Sequence, residues 1–339
     1  MSEIDIRITG RAGRITLQRP KALNALTYDM IRAIEAALDV WCDDDRVALV
    51  VIDAAGDKAF CAGGDIADLY RTGMAGDFAF GQQFWRDEYR LNAKLAEYPK
   101  PVVSFMQGFT MGGGVGIGCH ASHRVVGETS QIAMPECGIG LVPDVGGSLL
   151  LAQAPGHLGA WLGLTASRMG PGQAIAAGFA DYFLPEGDWS EVIAQLETTG
   201  DLAHLVTAPT PPDDFSEIIA EVDTHFAKTT LPDLLTSLRK SDSDFAAKTL
   251  KSMSRNSPLA MACALATQQH LHDKSTIREA LGLEYHFTFR AMQHGDFLEG
   301  IRAAIIDKDR NPHWRHRLDD VPPDAIQTML APLGKDRLY

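Results

Sequence analysis

Residues 106–118 read Met106-Gln107-Gly108-Phe109-Thr110-Met111-Gly112-Gly113-Gly114-Val115-Gly116-Ile117-Gly118. A run of glycines stands there between an apolar, strand-like segment (Pro101 to Met106) and a stretch that reads as a helix. Lacking Cβ atoms, such a backbone can approach a ligand closely, and the first N–H groups of the helix have no intrahelical partner. At the positive end of a helix dipole these donors suit a negatively charged oxygen. Residues 108–119 fit no G-x-G-x-x-G register and no Gly-Lys-Ser/Thr follows, so the dinucleotide fingerprint and the P-loop are both excluded. A carbonyl oxygen on its way to an oxyanion remains, and for that a second donor is needed.

The second donor is offered by Phe60-Cys61-Ala62-Gly63-Gly64-Asp65. Val47-Ala48-Leu49-Val50-Val51-Ile52, rich in β-branched residues, reads as a buried strand leading into it. Asp65 is a good cap for a helix beginning at Ile66, which places the Gly64 N–H at a strand-to-helix junction. Taken alone such a junction is an ordinary tight turn. Two of them in one chain point to a shared task.

Around these junctions the chain alternates strands and helices, which predicts an α/β domain. Residues 3–8 and 14–18 read as a hairpin about Gly10 to Gly13; a helix spans roughly 27–43, with Met30, Ile34, Leu38 and Trp41 on one stripe. Strand 47–53, a long helix from about Asp77 to Tyr98, strand 101–106 and a short strand at Arg124 to Val126 follow. Pro171 to Leu184 reads as a short helix ending at Gly178 and then a strand. The organisation expected is a core over 1–205, a Pro-rich linker at 206–214, a helical region over 215–315 and a tail at 316–339.

The chain has 339 residues, ample for a large core, and a net charge of −13, which excludes nucleic acid or an anionic membrane as the main partner. No run of 18 apolar residues is present, and the N-terminus shows neither a signal-peptide nor a transit-peptide pattern. Five cysteines (Cys42, Cys61, Cys119, Cys137, Cys263) without C-x-x-C spacing read as buried thiols of a reducing compartment, so the expected location is cytoplasmic. No metal site is expected: His120 with His123 (on one helix face) and His270 with His272 lack carboxylate helpers.

Three carboxylates stand out. Glu88 falls on the apolar stripe Phe84, Leu91, Leu95 of the long helix, where a charge is costly unless it is paired, reaches water, or serves a function; Arg90 and Lys94 are its nearest candidate partners. Glu136 lies in Met134-Pro135-Glu136-Cys137-Gly138, with nothing helical expected just after it. Asp144 follows Pro143 and precedes Val145-Gly146-Gly147-Ser148, where it could cap the next helix.

Ala59-Phe60-Cys61-Ala62-Gly63-Gly64-Asp65, Gly112-Gly113-Gly114 and Met134-Pro135-Glu136 together resemble the enoyl-CoA hydratase/isomerase (crotonase) superfamily. Thr110 to Gly116, Gly140 to Gly147, Glu284-Tyr285 and Gly300 to Asp309 look more narrowly like its 3-hydroxyisobutyryl-CoA hydrolase branch, over roughly residues 5–315. The resemblance implies a crotonase-like superhelix of ββα turns with a helical C-terminal region. It also implies an acyl-CoA thioester hydrolase of valine catabolism, with no cofactor beyond the CoA of its substrate, assembling as a possible trimer or hexamer. Gly64 and Gly113 would hold the thioester oxygen, Glu136 would act as base or nucleophile, and Asp144 would bind the 3-hydroxyl. Glu88, Leu23, Ala25, Ala62, Gly63 and Asp65 would contact substrate; Arg19, Lys21 and Lys58 lie near the segments that hold the nucleotide in such proteins. Members that hydrate a C=C bond carry a second glutamate where this chain has Gly116. Hydration or isomerisation, and acyl-CoA binding without turnover, are the alternatives.

Overall fold

A computed structural model describes residues 2–339. The fold is mixed α/β and falls into two compact units, neither contiguous in sequence: residues 2–65, 90–133 and 168–213, and residues 66–89, 134–167 and 214–339.

The first unit holds every strand. Strands β1 (Ile4–Thr9) and β2 (Ala12–Leu17) form an antiparallel hairpin; Thr9 faces Ala12, so Gly10 and Arg11 make the turn, with Gly10 at φ +55°. Beyond β2 all pairing is parallel. Strands β3 (Leu49–Ala54), β5 (Val102–Met106), β7 (His123–Val126) and β9 (Tyr182–Phe183) extend one sheet. A second sheet contains β4 (Ala59–Cys61), β6 (Phe109–Met111) and β8 (Gln131–Ala133). Each consecutive pair, β3–β4, β5–β6 and β7–β8, thus gives one strand to each sheet, the repeating turn of a ββα superhelix. The apolar run Leu49 to Ile52 of β3, and β5 buried throughout with Ser104 its one polar residue, are what strands buried on both faces require.

Helix α1 (Tyr28–Cys42) begins where the Thr27 hydroxyl accepts from the Met30 N–H, and it buries the expected stripe of Met30, Ile34, Leu38 and Trp41. Helices α4 (Gly113–Gly118), α7 (Pro171–Ala176) and α8 (Trp189–Thr199) complete this unit with residues 90–96 of α3 (Phe78–Ala96). Helix α8 seals the main sheet: Trp189 packs 5.3 Å from Phe105, and Leu196 joins Val51, Val103 and Val125 in the core.

The second unit is helical. It comprises α2 (Ala67–Met74), residues 78–89 of α3, α5 (Gly147–Gln153), α6 (Leu158–Thr165), α9 (Ile219–Phe226), α10 (Leu231–Arg239), α11 (Asp244–Met253), α12 (Pro258–Gln268), α13 (Ile277–His294), α14 (Phe297–Ile301) and α15 (Pro323–Leu330). Side-chain caps start four of these helices: Thr230, Ser243, Ser257 and Thr276 each accept from a backbone N–H of the first turn.

Three local expectations are corrected. Helix α2 starts at Ala67, one residue later than expected, with Ile66 and not Asp65 at its N-cap position, and the Asp65 carboxylate pairs with Arg19 at 2.9 Å. His120 and His123 share no helix: α4 ends at Gly118 and His123 belongs to β7, its ring stacked on Tyr182. A 3-10 turn, Glu136–Ile139, begins at Glu136 itself.

Candidate active site

In the first unit the two glycine junctions are neighbours. Strands β4 and β6 pair in parallel, with Cys61 beside Thr110, so their C-terminal ends emerge side by side. After β6, Gly112 takes φ +49° and ψ −121°, which side-chain-bearing residues avoid, and α4 starts at Gly113 with its first N–H groups beyond the reach of intrahelical acceptors. A Cβ on Gly114 would lie 2.1 Å from the Cys61 carbonyl oxygen, so the helix start is pressed against the end of β4. On the other junction, Leu26 donates to the Gly63 carbonyl at 2.9 Å and accepts from the Asp65 N–H at 2.7 Å. In a parallel bridge that pattern turns the intervening residue's own N–H to the opposite side, and the residue here is Gly64.

Residues 19–26 are fastened to this junction. Leu23 and Asn24 both sit at positive φ, +50° and +54°, and the Leu23 carbonyl accepts from the Ala62 N–H at 3.0 Å. Asn24, fully buried, donates to the Ala55 and Ala59 carbonyls and accepts from the Arg19 N–H, which makes its tolerance of left-handed backbone and its amide equally necessary. Arg19 is committed to Asp65, Glu3 and the Ala25 carbonyl, whereas Lys21 and Lys58 are exposed.

The second unit gathers the acids. Glu88, Glu136, Asp144 and Glu284 are between 0% and 4% exposed, and their charges repel one another in a medium too dry to screen them. Burial pushes Glu88 well above the carboxylate range, with Asp144 adding to it. Glu88 therefore does not reach water, and Arg90 and Lys94 pair with Glu35 and Asp39 instead. Glu136 is raised strongly by burial, then by Asp144, and its Oε2 is buried without a protein hydrogen-bond partner. Asp144 is pushed up to about 7 by burial, against the pull of a 2.7 Å hydrogen bond from the Tyr89 hydroxyl and of a backbone donor. It caps no helix: Gly146 is the N-cap of α5 and makes no side-chain cap. Glu284 is held near 8, raised by burial while Ser148 and the Gly146 and Ser148 N–H groups lower it.

Cys137, beside Glu136, is buried and its thiol is pushed upward by burial and by that carboxylate, the reverse of what a nucleophilic thiolate needs. Among the described residues no group of His, Cys, Asp and Glu is arranged to hold a metal ion, and no helix is long and apolar enough to cross a membrane. Of the residues that matter here, reading the sequence residue by residue singled out neither Asn24 nor Tyr89, and Glu284 drew attention only through family resemblance. Tyr89 is masked by its neighbour Glu88, and only Asn24 left a signal, a polar residue next to a Gln-Arg-Pro-Lys turn (Gln18 to Lys21).

Two parallel sheets built turn by turn, with glycine junctions at adjacent strand ends, define the enoyl-CoA hydratase/isomerase family, and the chain belongs to it: the family model matches residues 12–330. Within that family it is 37% identical to the mitochondrial 3-hydroxyisobutyryl-CoA hydrolase of Xenopus tropicalis, covering 97% of this chain and 89% of the relative. The Homo sapiens protein of the same name is 36% identical over 99% of this chain and 90% of its own length. Among solved structures, an enoyl-CoA hydratase from Rhodobacter sphaeroides 2.4.1 superposes with a TM-score of 0.97 at 59% identity over the whole of both chains. A carnitinyl-CoA dehydratase from Mycobacterium thermoresistibile gives 0.94 at 35% identity, covering 100% of this chain and 99% of its own.

Proposed function

We propose that this chain hydrolyses the thioester of 3-hydroxyisobutyryl-CoA, or of a close analogue such as 3-hydroxypropionyl-CoA, to the free hydroxy acid and CoA, a step of valine breakdown. The observation that carries this reading is Glu136, a buried carboxyl group with one oxygen unclaimed by the protein and its proton affinity raised, beside the second buried acid Asp144. Backbone N–H groups of Gly64 and Gly113 stabilise the negative charge that develops on the thioester oxygen, each such donor contributing about 3–4 kcal/mol. Glu136 removes a proton from water as it attacks the carbonyl carbon, and the departing CoA thiolate recovers that proton; the other route is direct attack by Glu136 through a mixed anhydride. Asp144 accepts from the 3-hydroxyl, and Glu88 with Leu23, Ala25, Ala62, Gly63 and Asp65 line the substrate. Lys21 and Lys58 are the basic groups left to meet the CoA phosphates. The chemistry calls for no metal and no cofactor, CoA entering with the substrate. A reducing compartment, the cytoplasm in our reading, suits five free cysteines, although the vertebrate relatives are mitochondrial by name.

Thiol release from a panel of acyl-CoA esters with and without the 3-hydroxyl tests the reading. Glu136→Gln should lose about a thousandfold in kcat, and Asp144→Ala should lose selectivity for hydroxylated chains; wild-type turnover in Glu136→Gln would overturn the assignment. The names of the solved neighbours favour a second reading, hydration of a C=C bond, against which Gly116 stands in place of an acid. Hydration of crotonyl-CoA faster than thiol release would decide for it.

A further inference from the structure

We propose that Tyr89 and Glu284 are positioning residues that mount Asp144 at two points, the phenol fixing its carboxylate and the Glu284 carboxylate fixing the turn behind it, and that this mount sets discrimination between hydroxylated and plain acyl chains. The proposal rests on the role given to Asp144 above.

Tyr89 is fully buried on α3, its ring edge-on to Tyr285, and its hydroxyl donates to Asp144 Oδ2 at 2.7 Å, with Thr288 Oγ1 at 3.4 Å. One oxygen of Asp144 is thereby committed, and the carboxylate cannot rotate without losing that bond. Behind it the backbone is strained. Val145 and Gly146 take φ +55° and +80° in succession, and for a β-branched residue the left-handed region is a genuine outlier. Such strain persists only where its surroundings over-determine it. Glu284, on α13 and 0% exposed, supplies that constraint: its Oε2 accepts from the Gly146 N–H at 2.8 Å, while its Oε1 accepts from the Ser148 N–H at 3.1 Å and from the Ser148 hydroxyl. A fully buried carboxylate from another helix thus grips both residues flanking Gly147, two positions beyond Val145. Stability alone does not call for this: a buried acid that makes no ion pair is a costly way to hold a turn unless the turn must aim something.

The titratable groups facing Asp144 are Glu88 and Tyr89 from α3, Glu136 from the 3-10 turn and Glu284 from α13. All are acids, so the Tyr89 hydrogen bond is the side-chain contact that favours the charged form of Asp144. Removing it should push the acidic limb of kcat/KM to higher pH.

Tyr89→Phe, Glu284→Gln and Ser148→Ala in the full chain are compared with Asp144→Ala by thiol release from 3-hydroxyisobutyryl-CoA and isobutyryl-CoA. We expect the ratio of the two kcat/KM values to fall about tenfold in Tyr89→Phe and Glu284→Gln, with the acidic limb moved upward in Tyr89→Phe. In the Asp144→Ala background Tyr89→Phe should change the ratio no further, since a residue acting through another has nothing left to act on. A packing role would lower the melting temperature and leave ratio and limb in place. If Asp144→Ala loses selectivity while the mount variants, folded by circular dichroism, keep the wild-type ratio and limb, the mount is refuted and the role of Asp144 stands. If Asp144→Ala keeps its selectivity, that role falls first and the proposal with it. Should Glu284→Gln fail to fold, Ser148→Ala, which removes one of the three donors to Glu284, stands in for it.

Discussion

Asp144 shows what a buried acid costs the fold. Its carboxyl titrates near 3.8 when free and at about 7 in the folded chain. Below about pH 4 both states keep the proton and no penalty arises. Between 3.8 and 7 the unfolded chain releases a proton that the folded chain retains, so stability falls as pH rises through that window, and above it the full penalty is present. The displacement corresponds to about 4 kcal/mol at most. Asp144→Asn keeps a carbonyl oxygen for Tyr89 and removes the charge. It should therefore be more stable than the parent at pH 8, by about 1–3 kcal/mol, with the difference vanishing near pH 4 in urea unfolding. Equal or lower stability at pH 8 would mean that Asp144 is not held against its charge. Glu88 was legible as an anomaly because the stripe of apolar residues around it is periodic. Tyr89 was not, since a tyrosine in a helix looks like core and its hydroxyl's partner lies 55 residues away.

Among the elements, α4 is the one on whose placement the proposed oxyanion site depends. Its first turn touches β4 so closely that an added methyl at Gly114 would sit 2.1 Å from the Cys61 carbonyl oxygen, a backbone atom that cannot swing aside. Gly114→Ala must then lift the helix start from β4, moving the Gly113 N–H by more than hydrogen-bond geometry tolerates. The expected result is a folded protein destabilised by about 1–3 kcal/mol, with kcat falling by about a hundredfold. A variant with wild-type kcat would show that the close approach serves packing alone. Strands β3 and β5 and the cap and stripe of α1 were legible because period and composition specify them locally. The 3-10 turn at Glu136 was not, because its support is tertiary: the Cys137 carbonyl accepts from Ser257, and Gly300 packs so closely that a Cβ there would lie 2.1 Å from the Ile139 carbonyl oxygen.

At the scale of the whole chain, alternation of strands and helices predicts an α/β fold correctly, but it does not reach the helix that closes the main sheet, α8 at Trp189–Thr199. The last 24 residues are read least well, because proline and charge suggest a loose tail where the stabilising partners are distant in sequence. Helix α15 lies within residues 316–339, and its Met329 is 1% exposed, packed near Gly295. Arg290 donates to the Met329 and Ala331 carbonyls at 3.3 and 2.8 Å. Arg86 donates to the carbonyls of Asp336 and Arg337 and lies over the Tyr285 ring, and the Tyr339 hydroxyl meets the Tyr89 carbonyl at 3.4 Å. The segment thus holds α3 one helical turn or less from Glu88 and Tyr89. Truncation after Val321 would take both carbonyl acceptors from Arg86 and leave Arg290 only the His286 carbonyl, and would open an apolar seat on α12 and α13. A loss of about 2–3 kcal/mol follows, lowering the melting temperature by about 5–10 °C, and the selectivity for hydroxylated acyl chains should drop because Tyr89 loses its outer support. Truncation after Leu333 keeps α15 and removes the acceptors of Arg86 together with Tyr339, which meets the Tyr89 carbonyl and lies under the Arg278 guanidinium, so it should reduce selectivity while costing less stability. If both truncations matched the full chain in melting temperature and selectivity, the last segment would be the dispensable tail that its composition suggests.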